Sequence, residues 1–201
     1  MNHACRKALK IWKSCRDRRL RSSGTTRPVT FAGIVQAYRR DHKQGIRAEL
    51  DYYANLPSLD EAVARASRAE RPDGKRHDHQ TRIGREALGK GARRLKGISW
   101  SAYKTFSKLH SFLEHRIGAI PGIGELMVYD TALRIGAKLG LEPEVVYLHR
   151  GTRRGARALG LDASRPFITL DELPHELRSL RPHEIEDCLC IYKTELARKA
   201  I

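Results

Sequence analysis

The chain has 201 residues, of which 40% are hydrophobic and 31% are charged, and its formal net charge at pH 7 is +16. This length and apolar content predict a folded protein with one sizeable domain or a compact pair. No apolar run of about 18 residues and no apolar secretory core is present, so the sequence predicts neither a membrane span nor export, and we expect a cytoplasmic protein.

The positive charge is unevenly distributed along the chain. Residues 1–40 hold eleven Lys or Arg against the single acid Asp17, and residues 71–108 hold eleven against three acids. Residues 161–201 reverse this balance, with eight acids against six bases. Because a soluble protein rarely carries such an excess unless it meets a polyanion, we expect a nucleic acid partner for the N-terminal and middle portions. The alternative is a basic surface that only aids solubility.

Residues 1–27 are predicted to form a basic N-terminal arm. Bases alternate there with a few apolar residues, and the polar stretch Ser22–Thr26 separates the arm from a helical domain over residues 28–201. The Arg-rich segment equally fits an organellar transit peptide or a nuclear localisation patch. The four cysteines of the chain are expected to be reduced thiols.

Helices are also predicted between the arm and residue 70. From Thr30 to Tyr53 the apolar residues follow the spacing of one or two helices. Ser58 followed by Glu61 is typical of a capped helix start, and an alanine-rich run continues to Glu70.

The segment Gly74–Gln80 concentrates bases and imidazoles directly before another predicted helix. In one interpretation this loop contacts phosphate through four side chains, Lys75, Arg76, His77 and Arg82. His77 and His79 lie on one side of an extended segment, where they could ligate a metal with a third ligand from elsewhere, but no partner has a diagnostic spacing. A solvated loop is the third interpretation.

Two helices joined by a short turn are predicted over residues 99–117 and 125–139, each with apolar residues at the spacing of one buried face. The turn between them reads Ile-Pro-Gly-Ile-Gly over Ile120–Gly124. Its glycines permit positive backbone angles and remove side chains, so consecutive amides can point at one anion. The helix that follows adds the positive end of its dipole.

This turn resembles the hairpin of the helix-hairpin-helix DNA-binding motif, which commonly reads hydrophobic, Pro, Gly, hydrophobic, Gly. The resemblance covers about a quarter of the chain, residues 99–140, as one supersecondary unit. It implies that the amides of Gly122, Ile123 and Gly124 hold a backbone phosphate without reading bases. The chain departs from the motif at Val128, where the family usually places a small residue that lets the helices approach.

Beyond the hairpin unit, Glu142–Leu148 is predicted to form a short helix with proline in its first turn. A further helix is predicted with Thr152 as its cap and Gly160 at its close. Strand character is limited to Phe167–Leu170. Residues 182–200 have the pattern of an amphipathic helix that packs on the core or docks a partner protein.

Helix-hairpin-helix units also occur in base-excision DNA glycosylases, so a DNA repair enzyme is one alternative. The glycosylases with lyase activity carry a lysine shortly after the second hairpin glycine, where this chain has Leu126. The aspartate of that family would fall near Glu144, which has His149 close by in sequence. No phosphate-loop signature or nucleophile elbow is present, and the sequence favours binding over catalysis.

The sequence therefore predicts a mainly α protein that binds duplex DNA through its backbone phosphates without sequence specificity. No catalytic residue, metal ligand or cofactor is assigned. A basic protein-interaction module is the alternative from another class. The predicted nucleic-acid contacts are Lys75, Arg76, Gly122, Ile123, Gly124, Arg134, Lys138, Arg150, Arg153, Arg154 and Arg157.

Overall fold

A computed structural model describes residues 2–21 and 30–199, with the side chains of residues 2–14 and 30–198. Within these ranges it contains ten α-helices and one two-stranded sheet, so the prediction of a mainly α protein is confirmed. The predicted polar linker Ser22–Thr26 lies outside the described residues. In the described part of the chain, no helix combines the length and the apolar character that a membrane crossing requires.

The helices are α1 His3–Arg21, α2 Phe31–Asp41, α3 Lys43–Ala54, α4 Leu59–Ala66, α5 Arg85–Arg94, α6 Phe106–Ile117, α7 Glu125–Leu139, α8 Arg150–Ala158, α9 Pro182–Ile191 and α10 Lys193–Lys199. The strands are β1 Val146–Tyr147 and β2 Phe167–Ile168. They pair in antiparallel fashion, with Val146 opposite Ile168.

The chain divides into two compact units, each assembled from two separate stretches of sequence. Unit 1 consists of Met1–Lys13 and Arg47–Glu142, and unit 2 consists of Ser14–Ile46 and Pro143–Ile201. This division differs from the predicted boundary after residue 27, because both units draw on the chain before and after that point.

Unit 1 is built around α6 and α7, which pack against each other, and α4 packs on α7. The bounds of α7 agree with those predicted from its apolar spacing. A Cβ on Gly136 would lie 2.8 Å from the carbonyl oxygen of Leu141 and 3.3 Å from Cδ2 of Phe106. The small residue that close packing needs therefore lies at Gly136, whereas Val128 is simply buried in the core.

The helix predicted from residue 99 begins later, at Phe106. The side chain of Thr105 accepts a hydrogen bond from the amide of Lys108 at 3.3 Å and so caps α6. Trp100, which fits the helical spacing, instead lies in a 3₁₀ turn, and its ring packs at 6.0 Å from that of Phe112. Trp100 is therefore buried by aromatic packing and not by a longer helix, although its spacing in the sequence fits the helical pattern.

The first half of the predicted basic arm is a folded helix in unit 1. Cys5, Ala8 and Trp12 are buried at the three- and four-residue spacing of one helical face. The thiol of Cys5 donates to the carbonyl oxygen of Tyr52 at 3.9 Å, and the guanidinium of Arg71 lies 5.5 Å from the centre of the Trp12 ring. Apolar residues among the bases thus anchor this segment.

Unit 2 gathers α2, the two-stranded sheet and α8 to α10 around one apolar core. The helix predicted over Glu142–Leu148 is wrong, because β-branched Val145 and Val146 favour the extended strand β1, and the amide of Leu148 donates to the carbonyl oxygen of Pro166 at 2.8 Å. The strand predicted near Phe167 is confirmed, although it extends only from Phe167 to Ile168.

The predicted C-terminal helix is two helices, α9 and α10, which meet at Tyr192. Their apolar side chains are buried in the core of unit 2: Ile185, Cys188, Leu189, Tyr192 and Leu196. The face that was predicted to pack or to dock a partner is therefore covered by the unit itself.

The start of α8 also differs from the prediction. The helix begins at Arg150 with His149 as its N-cap, and Thr152 is buried in the first turn. The Thr152 hydroxyl donates to Oε1 of Glu186 at 2.8 Å and lies 2.9 Å from Nε2 of His149. Thr152 is therefore held by a buried polar cluster rather than acting as a cap. The predicted close of the helix at Gly160 agrees with its left-handed φ of 73°.

Candidate nucleic-acid interface

The connection between α6 and α7 is a tight turn over Ile120–Ile123. The amide of Ile123 donates to the carbonyl oxygen of Ile120 at 2.9 Å. Pro121 takes the second position and Gly122, with φ of 90°, takes the third, which is the arrangement of a type II turn. The Ile123 amide is therefore bonded within the turn, and the Ile123 side chain is buried. Gly122 and Gly124, on either side of it, are exposed.

The N-terminus of α7 is exposed and has no side-chain cap. Its N-cap is Gly124, whereas Ser58 and Thr105 cap α4 and α6 with their hydroxyl oxygens. Within the described residues, the amides of Gly122 and Gly124 have no hydrogen-bond acceptor. Because the first amides of a helix point outward at the positive end of its dipole, this turn offers donors to an anion.

The helix α5 packs beside the turn through small residues. A Cβ on Gly91 would lie 3.3 Å from Cδ1 of Ile123, and one on Gly122 would lie 3.8 Å from Cβ of Ala87. Ala87 and Gly91 are about one helical turn apart, so they form the face that meets the turn. The bases of α5 remain exposed around that face: Arg85, Lys90, Arg93 and Arg94.

Two of the bases near the turn bind the ends of each other's helices. Nη1 of Arg94 donates to the carbonyl oxygen of Arg116 at 3.1 Å, and Nε of Arg116 donates to the carbonyl oxygen of Arg94 at 2.9 Å. Each guanidinium thus satisfies a carbonyl at the C-terminal end of α5 or α6. Both side chains are exposed and keep further N–H donors for a phosphate.

Arg134 has a different environment from the one predicted, because it is only 4% exposed. Its Nε donates to Oε1 of Glu49 at 3.0 Å, and its Nη2 lies 3.5 Å from Oδ2 of Asp130. Nε2 of His77 lies 3.0 Å from the same Glu49 oxygen, and Nε2 of His79 lies 3.0 Å from the same Asp130 oxygen. These five side chains form one charged cluster in unit 1, in which Arg134 is buried and His79 lies at the exposed edge.

The ionisation of this cluster follows from its contacts. Burial disfavours the charged form of Glu49, but His77 and Arg134 hold the pKa of its carboxyl well below the usual range. Burial also opposes ionisation of Asp130, and Arg134 and His79 nevertheless lower its pKa. The hydrogen bond to Asp130 raises the pKa of His79, whereas burial lowers the pKa of His77. Two carboxylates therefore stay ionised beside one guanidinium.

His77 and His79 attach the loop between α4 and α5 to unit 1 through their contacts with Glu49 and Asp130. Among the described residues, no group of three His, Cys, Asp or Glu side chains is arranged to hold a metal ion. The acids that the two histidines contact belong to helices: Glu49 lies on α3 and Asp130 lies on α7.

Lys138 is also directed into unit 1. Its Nζ donates to the carbonyl oxygen of Ala54 at 3.1 Å and to that of Leu56. The Ala54 carbonyl lies at the C-terminal end of α3, where a helix leaves acceptors without partners, and Leu56 lies in the segment that follows. The basic residues in the second half of α7 therefore fasten that helix to its neighbours.

Lys75 and Arg76 lie in a tight loop that is closed by a backbone bridge between Glu70 and Arg76. Nη1 of Arg76 donates to the carbonyl oxygen of Ile83 at 2.7 Å, so this side chain braces the approach to α5. Lys75 is exposed and forms no ion pair with the described acids. Lys75 is thus the member of the predicted pair that faces solvent.

The predicted arginine cluster lies on α8 in unit 2. Nη1 of Arg153 donates to the carbonyl oxygens of Ala163 and Arg165, both at 2.7 Å, so this side chain supports the loop before β2. The other three arginines are exposed at positions that share one helical face: Arg150, Arg154 and Arg157.

The two residues considered for catalysis have unlike environments. Glu144 is exposed in the segment before β1. His149 is only 3% exposed, and its Nε2 lies against Oε1 of the buried Glu186. His149 therefore belongs to the packing of α8 on α9.

Comparisons of the chain with known protein families, with curated proteins and with solved structures find no match.

The sequence did not reveal the contribution of α5 to this site. Its bases were visible as part of a basic region, but only the tertiary contacts of Ala87 and Gly91 place them beside the turn. The available signal was the spacing of small residues on α5, which indicates a close helix contact without identifying the partner.

Proposed function

We propose that the protein binds duplex nucleic acid, DNA in particular, through backbone phosphates. The observation that carries this proposal is the exposed, uncapped N-terminus of α7 behind a type II turn, bordered by the bases of α5 and the end of α6. Backbone amides and a helix dipole favour a single phosphate group, and the surrounding guanidinium and ammonium groups favour its neighbours along the strand.

The same geometry supports binding without sequence specificity. Amides of a turn reach phosphate oxygens, which are alike at every base pair, and such contacts position a protein without reading the sequence. The net charge of +16 adds a long-range attraction for any nucleic acid.

The proposed contacts are revised from those predicted, because burial and internal hydrogen bonds occupy several of them. Five of the predicted residues bind groups of the protein itself: Arg76, Ile123, Arg134, Lys138 and Arg153. The proposed contacts in unit 1 are Lys75, Arg93, the amides of Gly122 and Gly124, and three exposed bases that have an internal partner but keep further N–H donors: Lys90, which pairs with Glu86 at 2.8 Å, Arg94 and Arg116. A second contact surface in unit 2 consists of Arg150, Arg154 and Arg157.

Fluorescence anisotropy with a Gly124→Val variant tests the proposal. The position accepts a side chain, because a Cβ there meets nothing within 4 Å and the φ of −99° suits any residue. The valine would project where the phosphate is proposed to sit, so we expect an affinity for duplex DNA at least about tenfold lower, equal to the loss of one charge-assisted hydrogen bond. Equal affinity in the folded variant contradicts the proposal.

The matched control is Gly84→Val. Gly84 is the N-cap of α5, has no side-chain cap and is equally open to a Cβ, so both variants carry the same local change in unit 1. Both variants are measured with a duplex that carries 5′-hydroxyl ends, and we expect the control to keep most of its affinity for that duplex. Single-stranded DNA, RNA and heparin in a salt series complete the test. Binding that heparin abolishes and that is indifferent to the type of polymer would instead indicate a general polyanion or acidic-protein surface.

A further inference from the structure

A cleft of about 650 Å³ opens on unit 1, between the loop that follows α4 and the first half of α5. Arg85, Leu88 and Gly89 of α5 line one wall, whereas Ala87 and Gly91 of the same helix meet the hairpin turn. Because these two sets of residues project in different directions around α5, the cleft and the turn lie on different flanks of one helix.

The lining of the cleft is strongly basic. It contains five basic side chains, Arg68, Arg71, Lys75, Arg76 and Arg85, and only two acidic ones, Glu70 and Asp78. A concave surface lined by one sign of charge concentrates its electrostatic potential, so the cleft attracts anions more strongly than a flat surface with the same residues.

Both acids of the lining already have basic partners. Glu70 forms an ion pair with Arg65, and Asp78 accepts a hydrogen bond from Nη1 of Arg71 at 3.0 Å. Arg71 also contacts Asp73 at 3.2 Å, so its charge is compensated within the loop.

Three bases of the lining are left for a ligand. Arg68, Lys75 and Arg85 are exposed, and none of them forms an ion pair with an acid of the described chain. The N-terminus of α5 borders the same cleft, and its N-cap Gly84 provides no side-chain cap for the first amides. The cleft therefore combines positive side chains with outward-pointing amides, which is a favourable environment for a multiply charged oxyanion.

We infer that this cleft binds a phosphomonoester, the terminal phosphate either of a nucleic acid strand or of a free nucleotide. A phosphomonoester carries close to two negative charges and three free oxygens, and it protrudes from its parent molecule. An internal phosphodiester has one charge and is flanked by sugars on both sides, so it enters a concave site less deeply. The volume also lies within the usual range for small-ligand pockets, about 300 to 1,000 Å³.

For a nucleic acid end the inference rests on the proposed function, whereas for a free nucleotide it does not. An α-helix with its side chains is about 10 Å across, which is the separation expected between the turn and the cleft on its two flanks. A strand held by an internal phosphate at the turn can therefore place its end at the cleft.

The test measures binding of the full chain to two matched pairs of probes. The first pair is one duplex with 5′-phosphate ends and the same duplex with 5′-hydroxyl ends, and the second is thymidine 5′-monophosphate and thymidine. We expect the phosphorylated member of at least one pair to bind about tenfold more tightly, the effect of one added charge-assisted contact. A preference with the duplex identifies a nucleic acid end, and a preference only with thymidine monophosphate identifies a free nucleotide.

Two variants assign the preference to the cleft. The triple variant Arg68→Gln, Lys75→Gln, Arg85→Gln removes its uncompensated charge. Gly89→Leu fills the cleft without a change of charge, because a Cβ at Gly89 meets only the flexible end of Arg93 at 3.5 Å and leucine favours the helix. The control removes three exposed charges outside the lining: Lys96→Gln, Lys104→Gln and Lys108→Gln.

Loss of the phosphate preference in both cleft variants, with retention in the control, supports the inference. Equal binding within both probe pairs, or a preference that survives both cleft variants, overturns it. Gly124→Val separates this result from the proposed function: if that variant binds the hydroxyl-ended duplex like the parent while the cleft variants still lose the phosphate preference, the hairpin proposal fails and the cleft inference stands.

Discussion

The two halves of α7 carry positive charge in different ways. At its N-terminus the turn exposes the backbone amides of Gly122 and Gly124. In its second half Arg134 and Lys138 carry formal charges, but both side chains bind groups within unit 1. A basic side chain therefore does not by itself mark a binding surface, and a segment without basic side chains can still offer exposed N–H donors.

The largest expected effect concerns the buried charge. Arg134→Met removes the guanidinium from Glu49 and Asp130 and leaves two buried carboxylates without it. We expect the free energy of unfolding to fall by about 3 to 5 kcal/mol, the usual cost of breaking a buried ion pair. Chemical denaturation measures this change. Arg93→Met at an exposed position of α5 is the control, and we expect its free energy of unfolding to change by no more than about 0.5 kcal/mol. Similar losses for both variants would contradict a structural role that is particular to Arg134.

The pH dependence of stability probes the same cluster. The folded-state pKa values of Glu49 and Asp130 are lowered, so their contribution to stability is present above about pH 4 and is lost as the pH falls through the folded values. The pKa of His79 is raised, so its contribution is present below about pH 6.5 and is lost as the pH rises through its folded value.

A comparison of the parent with His79→Gln isolates the second effect. We expect the parent to be the more stable protein at pH 5.5 and the difference between the two to shrink at higher pH, because Asp130 then loses its protonated partner. Urea titrations between pH 5 and pH 9 provide the measurement. A difference that stays constant or grows with pH would show that His79 does not titrate against Asp130.

The salt dependence of duplex binding should distinguish exposed bases such as Arg93 from bases such as Lys138 that bind groups within unit 1. Arg93→Gln removes a proposed phosphate contact, so we expect the slope of log affinity against log salt to fall by up to about 0.9 and the stability to stay unchanged. Lys138→Met removes hydrogen bonds to Ala54 and Leu56, so we expect a loss of about 1 kcal/mol in stability and an unchanged slope. The reverse pattern would mean that Lys138 is the phosphate contact.

The smallest change that we expect is a gain in affinity for duplex DNA on removal of the Glu125 charge. Glu125 is exposed in the first turn of α7, where its carboxylate favours the helix dipole but would repel a phosphate at the turn. We expect Glu125→Gln to bind duplex DNA about two- to fivefold more tightly, since a like-charge repulsion near the surface costs about 0.5 to 1 kcal/mol. Weaker binding by the variant would place the phosphate elsewhere.

The sequence predicted those features of the fold that depend on local interactions. The bounds of α7 and the capping role of Ser58 follow from apolar spacing and from short-range hydrogen bonds, both of which are visible in a single stretch of sequence. The late start of α6 was missed because Trp100 satisfies the helical spacing through an aromatic cluster.

The candidate site was predicted only in part, because the partners of its charges are distant in sequence. Glu49, which holds Arg134, is 85 residues away from it, and no periodic pattern links the two. The position of α5 beside the turn likewise depends on tertiary packing of Gly91 against Ile123. The glycines of the turn were identifiable because Gly122 requires a φ of 90°, a local property.

The most direct test of the proposal that the turn binds a phosphate is an NMR titration of the protein labelled with 15N-glycine. On addition of duplex DNA at low salt, we predict that the amide resonances of Gly122 and Gly124 shift progressively downfield, while that of the buried Gly136 stays in place. Unchanged resonances of Gly122 and Gly124 at saturating DNA, with shifts confined to glycines of α8, would contradict the account.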